Sequence, residues 1–373
     1  MDTPQVIVIG AGYAGIAAAN SLARRRVQVT VINPVPFFVD RIRLHEVVAG
    51  SRTPQAATVS LSRMLDPRVG LVLGTAVHVR DHEVELQDGR RREADHVLIA
   101  AGSGAGNGVT SFEGASNLRL RVAALDAGAR VRVLGAGLTG VEVATALAGR
   151  RPDLRIRLVD PKGLLPGMGT RARTHIATTL ARTGVSVEPT AEATEPTIEC
   201  RGFRVPTFAS DSQLPVESSG RLEVGLDLSV AVDGRTWLWG AGDAAVIQNR
   251  PHLRMGCATA LPLGAAAAAN IGRSIRGQST KPVNVGYAMQ CVSLGPRDAL
   301  IQFVHTDDSP TRWLLTGAPA AIVKEGVCRF ARAAPQHPSQ RYLAPKGPPD
   351  ESHPPSRTTT PPQQQNSLAI HKH

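Results

Sequence analysis

Six glycines in two matching triplets carry the clearest chemical signal in the chain. Gly10, Gly12 and Gly15 lie in VIVIGAGYAGIAAANSL, residues 6–22; Gly135, Gly137 and Gly140 lie in VRVLGAGLTGVEVATAL, residues 131–147. Each stretch reads as an apolar strand, a G-x-G-x-x-G turn and an Ala-rich helix. The first glycine makes the tight turn, and the second lets the backbone approach a diphosphate. The third lets helix and strand pack closely, while the helix N-terminus faces the phosphate charge. One such triplet is weak evidence for a dinucleotide site. Two, each followed by a strand that ends in a polar ribose-contacting position, are far more specific.

Those end positions are Asn33 and Asp160. An acid there favours the 2′-hydroxyl of NAD and repels the 2′-phosphate of NADP. The second unit therefore reads as an NAD(P)H site with NADH favoured, although Arg155, Arg157 and Lys162 lie nearby. Asn33 can also hydrogen-bond a ribose hydroxyl, less strongly than a carboxylate. Two dinucleotide sites in one chain let two cofactors meet, one held permanently and one exchanging. That is the layout of a flavoprotein that takes hydride from a nicotinamide.

The elements that must position these turns follow from periodicity. QVIVI (5–9), a helix over 14–25 and VQVTVI (27–32) make an opening βαβ unit, followed by helix around Ile42–Val48. LVLGTAVHVR, EVELQDG and ADHVLIAAG read as three strands, the last two joined by DGRR. A second βαβ unit starts at Arg130: a helix to about Ala148, the strand RIRLVD, a helix over 170–183 and the strand VSVEP. TWLWGAGDAAVI (236–247) is a strand ending in a glycine turn. The helix in CATALPLGAAAAANIGRSI is expected to start near its interior Pro262. CVSLG, ALIQFVH and a helix near Ala318–Ala331 close the ordered part. From Pro335 onward nine prolines accompany Gln, Ser, Thr and His, a composition that cannot bury enough apolar surface to order itself.

Composition narrows the function classes. The chain has 373 residues and a formal net charge of +11, but its Arg pairs and triplets are scattered rather than forming an aromatic-laced stripe, so nucleic-acid binding is not expected. The basic balance suits loose attraction to an anionic membrane surface. No apolar run reaches the roughly 20 residues needed to cross a bilayer, and the first strand begins too early to leave room for a signal peptide. Cys200, Cys257, Cys291 and Cys328 form neither C-x-x-C nor a metal-ligand spacing, so they read as buried thiols in a reducing cytoplasm and no metal site is expected.

Beyond the triplets, ADHVLIAAGS, WLWGAGDAA, RMGCATALPLG, QCVSLGPRDALIQFV and KEGVCRFA extend the pattern. Together these motifs, over about residues 4–333, resemble the two-dinucleotide-binding-domain flavoproteins of the pyridine nucleotide-disulfide oxidoreductase superfamily. The resemblance is greatest to the type II NADH dehydrogenase-like branch. It implies an α/β fold with two Rossmann-like FAD/NAD(P)-binding domains on doubly wound parallel sheets, a small C-terminal region and a disordered tail. The implied boundaries are 1–104 with 232–284 for a discontinuous FAD-binding domain, 105–231 for a shortened NAD(P)H-binding domain, 285–334 for the C-terminal region and 335–373 for the tail. The family's A-T-G turn appears with Ala101 in place of Thr, before Gly102. Gly242 and Asp243 match the second FAD motif, and Asp243 would contact the ribityl or pyrophosphate region. Thr139 belongs to the NADH fingerprint, and Glu142 would position the nicotinamide as the one residue placed at the reaction. Arg41 and Arg43 would neutralise FAD phosphates, His45 would be structural, and the helix beginning near Ala258–Leu261 would point its positive end at the flavin.

The implied activity is an FAD-dependent oxidoreductase passing electrons from NADH to a quinone or similar small acceptor, cytoplasmic or peripheral at the inner membrane face. Departures leave two rivals. The C-x4-C pair of disulfide-reductase relatives is absent, and the Gln-rich quinone motif is not evident in CATALPLGAAAAAN. The second unit has only about ten residues, TAEATEPTIEC, where the first has a β-meander. One rival is therefore an FAD-binding redox sensor with impaired nicotinamide chemistry; the other is a reductase of a small iron-sulfur protein docked on the basic surface.

Overall fold

The computed structural model describes residues 3–104, 108–190, 195–232, 234–338, 342 and 344–349. Its framework is a six-stranded sheet in the order Ser229–Val232, Arg235–Gly240, His96–Ile99, Gln5–Ile9, Gln28–Asn33 and Gly70–Leu73. All neighbours are parallel except the first pair. The central strand is apolar at every position after Gln5, and Val6, Val8 and Ile9 are at most 5% exposed. A strand covered on both faces requires that composition. Helices Tyr13–Ala23 and Cys257–Ile275 pack together over this sheet. Gly264 permits the close approach, since a Cβ there would lie 2.2 Å from Ala14 O.

The second unit repeats the plan with four parallel strands, ordered Ser186–Glu188, Arg155–Val159, Arg130–Leu134 and Thr197–Glu199. Its core also takes in Leu44, Val47 and Val48 from the helix Leu44–Val48, and Val292, Leu294 and Leu300 from the C-terminal region. That region is an antiparallel sheet of Met289–Ser293, Ala299–Val304 and Pro310–Thr316 backed by the helix Gly317–Ala333. None of the described helices is long and apolar enough to cross a membrane.

Several local expectations are corrected. LVLGTAVHVR is two strands, because Gly74 breaks the run: Gly70–Leu73 joins the main sheet, while Ala76–Arg80 joins a separate meander with Glu83–Leu86 and Arg91–Glu93. The long helix begins at Cys257 rather than near Pro262, which sits in its second turn. The proline ring removes one backbone donor there, while the buried apolar face on either side carries the helix through. TWLWGAGDAAVI divides into Arg235–Gly240, a tight turn at Gly242–Ala244 and Ala245–Ile247. Residues 208–231, grouped with the second unit by sequence, pack on the first. Ser229–Val232 pairs with Arg235–Gly240, Leu222–Val224 with Ala245–Ile247, and Ser212 Oγ accepts from Val79 N at 3.0 Å. In the stretch read as disordered, Pro335 O accepts from Asn20 Nδ2 at 2.9 Å and Tyr342 is buried against the first core. The tail from residue 350 onward lies outside the described residues.

Candidate functional site: a cleft between two glycine turns

Both glycine turns have the same geometry. Gly10 and Gly135 each have φ +100°, a conformation that disfavours any side chain. A Cβ on Gly15 would lie 1.9 Å from Gly10 O, and one on Gly140 would lie 1.7 Å from Gly135 O. By contrast, a Cβ on Gly12 or Gly137 would meet nothing within 4 Å. The glycines at these two positions are therefore not demanded by packing. They leave open the helix N-termini Tyr13–Ala23 and Leu138–Arg150, whose first backbone N–H groups lack intrahelical partners. This cradle fits a diphosphate on each unit.

The strand-end residues brace the turns. Asn33 Oδ1 accepts from Ala11 N at 2.9 Å, and Asp160 Oδ2 accepts from Ala136 N at 2.9 Å. Asn33 Nδ2 also donates to Val35 O, and Asp160 Oδ1 accepts from Lys162 N. Ala101 lies directly against the first turn, with its Cα 2.9 Å from the place a Cβ on Gly10 would occupy; Gly102 follows at φ +71°. Gly242 abuts Ala14.

Between the turns lies a cleft of ≈ 270 Å³. Tyr13, Thr139, Glu142, Asp243, Cys257 and Lys324 line it, so it gathers both units, the start of the long helix and the terminal helix. Asp243 organises one end. Its Oδ1 accepts from Gly256 N at 2.7 Å, its Oδ2 accepts from Ser103 Oγ at 2.6 Å, and Arg41 Nη1 stands 3.5 Å away. Those contacts fix the N-terminus of Cys257–Ile275 toward the cleft, where its dipole favours negative charge. Tyr13 donates to Asp40 Oδ1 at 2.7 Å and meets Phe38 edge-on.

The other end is a buried ion pair. Glu142 Oε1 lies 2.8 Å from Lys324 Nζ and also accepts from Ser293 N at 3.0 Å; Glu142 Oε2 is 3.7 Å from His45 Nδ1. Burial alone would push the Glu142 carboxyl up, but Lys324 and then His45 outweigh it and hold it below its ordinary value. Burial would lower Lys324, yet Glu142 raises it. Burial pushes His45 down against the pull of Glu142, leaving the ring neutral near pH 7. Cys257, Cys291 and Cys328 also line the cleft. Burial pushes the Cys257 thiol up to about 11 and the Cys328 thiol up to about 12, so both are protonated and poor nucleophiles.

Of the residues singled out from sequence, Thr139, Glu142 and Asp243 line the cleft, and the two glycine triplets, Asn33, Asp160, Ala101, Gly102 and Gly242 form the turns beside it. Arg43 does not join them. It is held by Glu46 at 2.7 Å and Glu325 at 2.5 Å, and its neighbour Arg41 faces the cleft instead. Lys324, Tyr13 and Ser103 were not singled out. Lys324 sits inside the quoted KEGVCRFA motif, but only the fold reveals that it reaches Glu142.

Comparison with known proteins agrees with this architecture. The profile of the family described as pyridine nucleotide-disulphide oxidoreductase matches residues 4–213. An NADH dehydrogenase-like protein of Mycobacterium tuberculosis is 29% identical, over 87% of this chain and 92% of the relative. The sulfide:quinone oxidoreductase of Aquifex aeolicus superposes with a TM-score of 0.74 at 17% identity, covering 91% of this chain and 92% of that one. NDH2 of Plasmodium falciparum, solved in complex with NADH, gives a TM-score of 0.71 at 13% identity over 92% and 99% of the two chains.

Proposed function

Since the chain belongs to the pyridine nucleotide-disulphide oxidoreductase family and is an NADH dehydrogenase-like NAD(P)H oxidoreductase, we propose that it holds FAD at the first glycine turn, takes NADH at the second, and delivers electrons to a quinone-like acceptor. The single observation that carries this reading is the cleft lined from both units, with an open glycine at the head of each helix. FAD, when bound, would supply the two-electron acceptor for the nicotinamide hydride.

The chain's own residues bind, orient and exclude water. The backbone at Gly12 and the N-terminus of Tyr13–Ala23 would hold the FAD diphosphate; Asn33, whose amide already braces the turn, lies where the ribose would come. Asp243 orients the long helix so that its positive end faces charge accumulating in the cleft. The backbone at Gly137 would hold the NADH diphosphate, and Asp160 would accept from its ribose. Arg157 is committed to Glu188 and to Glu195 at 2.6 Å, and so is not free to receive a 2′-phosphate. That supports NADH over NADPH. Glu142, kept ionised by Lys324, sets the edge of the nicotinamide position.

An apolar wall that includes Val109, Leu138, Phe203 and Val327 supports a hydrophobic acceptor. Exposed Trp313, Ile322 and Phe330 on the C-terminal region, with Arg312 and Arg329, support peripheral contact with an anionic membrane. The test is steady-state NADH oxidation by purified protein, with a short-chain quinone and with a ferredoxin as alternative acceptors. Turnover with the quinone alone supports the proposal; turnover with the ferredoxin alone overturns the acceptor assignment.

A further inference from the structure

At the opposite end of the long helix from the cleft, four cations converge on one cavity. The helix has 19 residues, so its two ends stand about 28 Å apart. Arg25 follows the first helix, Arg273 lies in the last turn of the long one, Arg276 closes it, and Lys281 sits on the chain just beyond. All four line a cavity of ≈ 420 Å³, and among the described residues no carboxylate lines it.

Their hydrogen bonds go to neutral oxygens. Arg25 Nη1 donates to Ser21 O at 2.7 Å, Arg273 Nε to Ser279 O at 2.5 Å, and Arg276 Nη2 to Gln278 Oε1 at 3.4 Å. The nearby Asp227 is taken up by Ser229 and Thr280. Elsewhere the arginines of this chain commonly sit against acids, as Arg43, Arg157 and Arg254 do.

Two features show that the cluster is held in place by the fold. Gly272 leaves a seat for two guanidiniums: a Cβ there would lie 3.0 Å from Arg25 Cδ and 3.5 Å from Arg276 Nη1. Burial, and then the charge of Arg276, lower the pKa of Arg25, as expected for a cation facing its like without a counter-charge. The buried Asn270 fixes the returning chain, its Nδ2 donating to Lys281 O at 2.9 Å and its Oδ1 accepting from Lys281 N at 3.0 Å. Complementing the helix C-terminal dipole accounts for Arg273 and Arg276. It does not account for Lys281, or for Arg25 laid over Gly272. The cavity runs back along the same helix face to the apolar Pro262 and Ala266, with Val283 also lining it.

We propose that this cavity binds a phosphorylated small molecule carrying at least two negative charges, its phosphate held by Arg25, Arg273, Arg276 and Lys281 and its apolar part against Pro262, Ala266 and Val283. The same chemistry could be presented by a free phosphate compound or by the headgroup of an acidic phospholipid. The site is separate from both glycine turns.

The test uses the full chain with FAD and NAD+ saturating, so that the glycine turns are filled. Inorganic pyrophosphate is titrated by calorimetry into wild type, Arg276→Gln, Lys281→Gln and the double variant. Vesicle flotation compares phosphatidylcholine alone with phosphatidylcholine containing phosphatidic acid. The expected result is saturable pyrophosphate binding, weakened at least about tenfold by either substitution and lost in the double variant, as removal of a charged hydrogen bond implies. Flotation that needs phosphatidic acid and is competed by pyrophosphate assigns the phosphate to a lipid. Pyrophosphate binding without flotation assigns it to a free compound. The proposal is overturned if neither probe binds, or if wild type and double variant bind alike. A lower melting temperature for Arg276→Gln with unchanged binding would likewise overturn it, reducing the cluster to helix-end stabilisation.

Discussion

Gly12→Ala and Gly137→Ala separate binding from folding. Both residues have extended backbone conformations, φ −87° and −76°, that any residue adopts, and an added methyl meets no protein atom within 4 Å. The unloaded variants are therefore expected to melt within about 0.5 kcal/mol of wild type, as for neutral surface changes. The methyl instead occupies the space through which a diphosphate reaches the backbone. Losing one hydrogen bond to a charged group costs about 1.5–3 kcal/mol, which is roughly a 10- to 150-fold loss of affinity. Gly12→Ala is expected to purify with little flavin and to rebind FAD that much more weakly. Gly137→Ala should keep its flavin but show an NADH KM raised over the same range. Gly15→Ala is the contrast: its Cβ would stand 1.9 Å from Gly10 O, so it should fail in folding as well as binding. Flavin absorbance, FAD rebinding by fluorescence quenching and NADH steady-state kinetics read out all three. Wild-type flavin content in Gly12→Ala together with a wild-type KM in Gly137→Ala would refute the reasoning.

Other consequences follow from the ion pair and the second core. Lys324→Met leaves the Glu142 carboxylate buried without its partner and is expected to cost about 3–5 kcal/mol in denaturant unfolding, whereas the double variant with Glu142→Gln should recover much of that loss. Burial holds His45 below its ordinary pKa, so the unfolded chain takes up the proton first as pH falls through the ordinary histidine range. Stability should therefore decline below about pH 6.5 and decline less in His45→Gln, measured by melting temperature against pH. Leu147 is 0% exposed in the core of the second unit. Leu147→Ala should lower unfolding free energy by about 2–5 kcal/mol while leaving bound flavin largely in place.

What the sequence disclosed, and what it withheld, divides along the range of the interactions. The glycine triplets act within one turn of chain, and the tight turns at Gly10 and Gly135 and the close helix packing at Gly15 and Gly140 appear in the structure as the sequence suggests. The central strands of the first sheet, Gln5–Ile9 and His96–Ile99, were readable because their burial on both faces leaves continuous apolar runs. Splitting LVLGTAVHVR needed more than periodicity, because Gly74 sends its two halves to different sheets. That 222–231 packs on the first unit was hidden for the same reason: Ser229 pairs with Trp239 in the main sheet and Leu222 with Ala245 in a separate two-stranded one, partners that lie beyond a turn the local pattern does not specify. Arg41 and Arg43 are indistinguishable by type and spacing, and only the acids Glu46 and Glu325 decide which one turns away. Lys324 was unreadable because its importance comes from Glu142, on a helix that only tertiary packing brings near.

The account stands most directly on an anaerobic titration of the purified chain with NADH, followed by flavin absorbance. It predicts a yellow preparation whose visible band bleaches at one NADH per bound flavin, and far more readily than with NADPH. A colourless protein that does not take up added FAD, or a yellow one that NADH leaves unbleached, would contradict it.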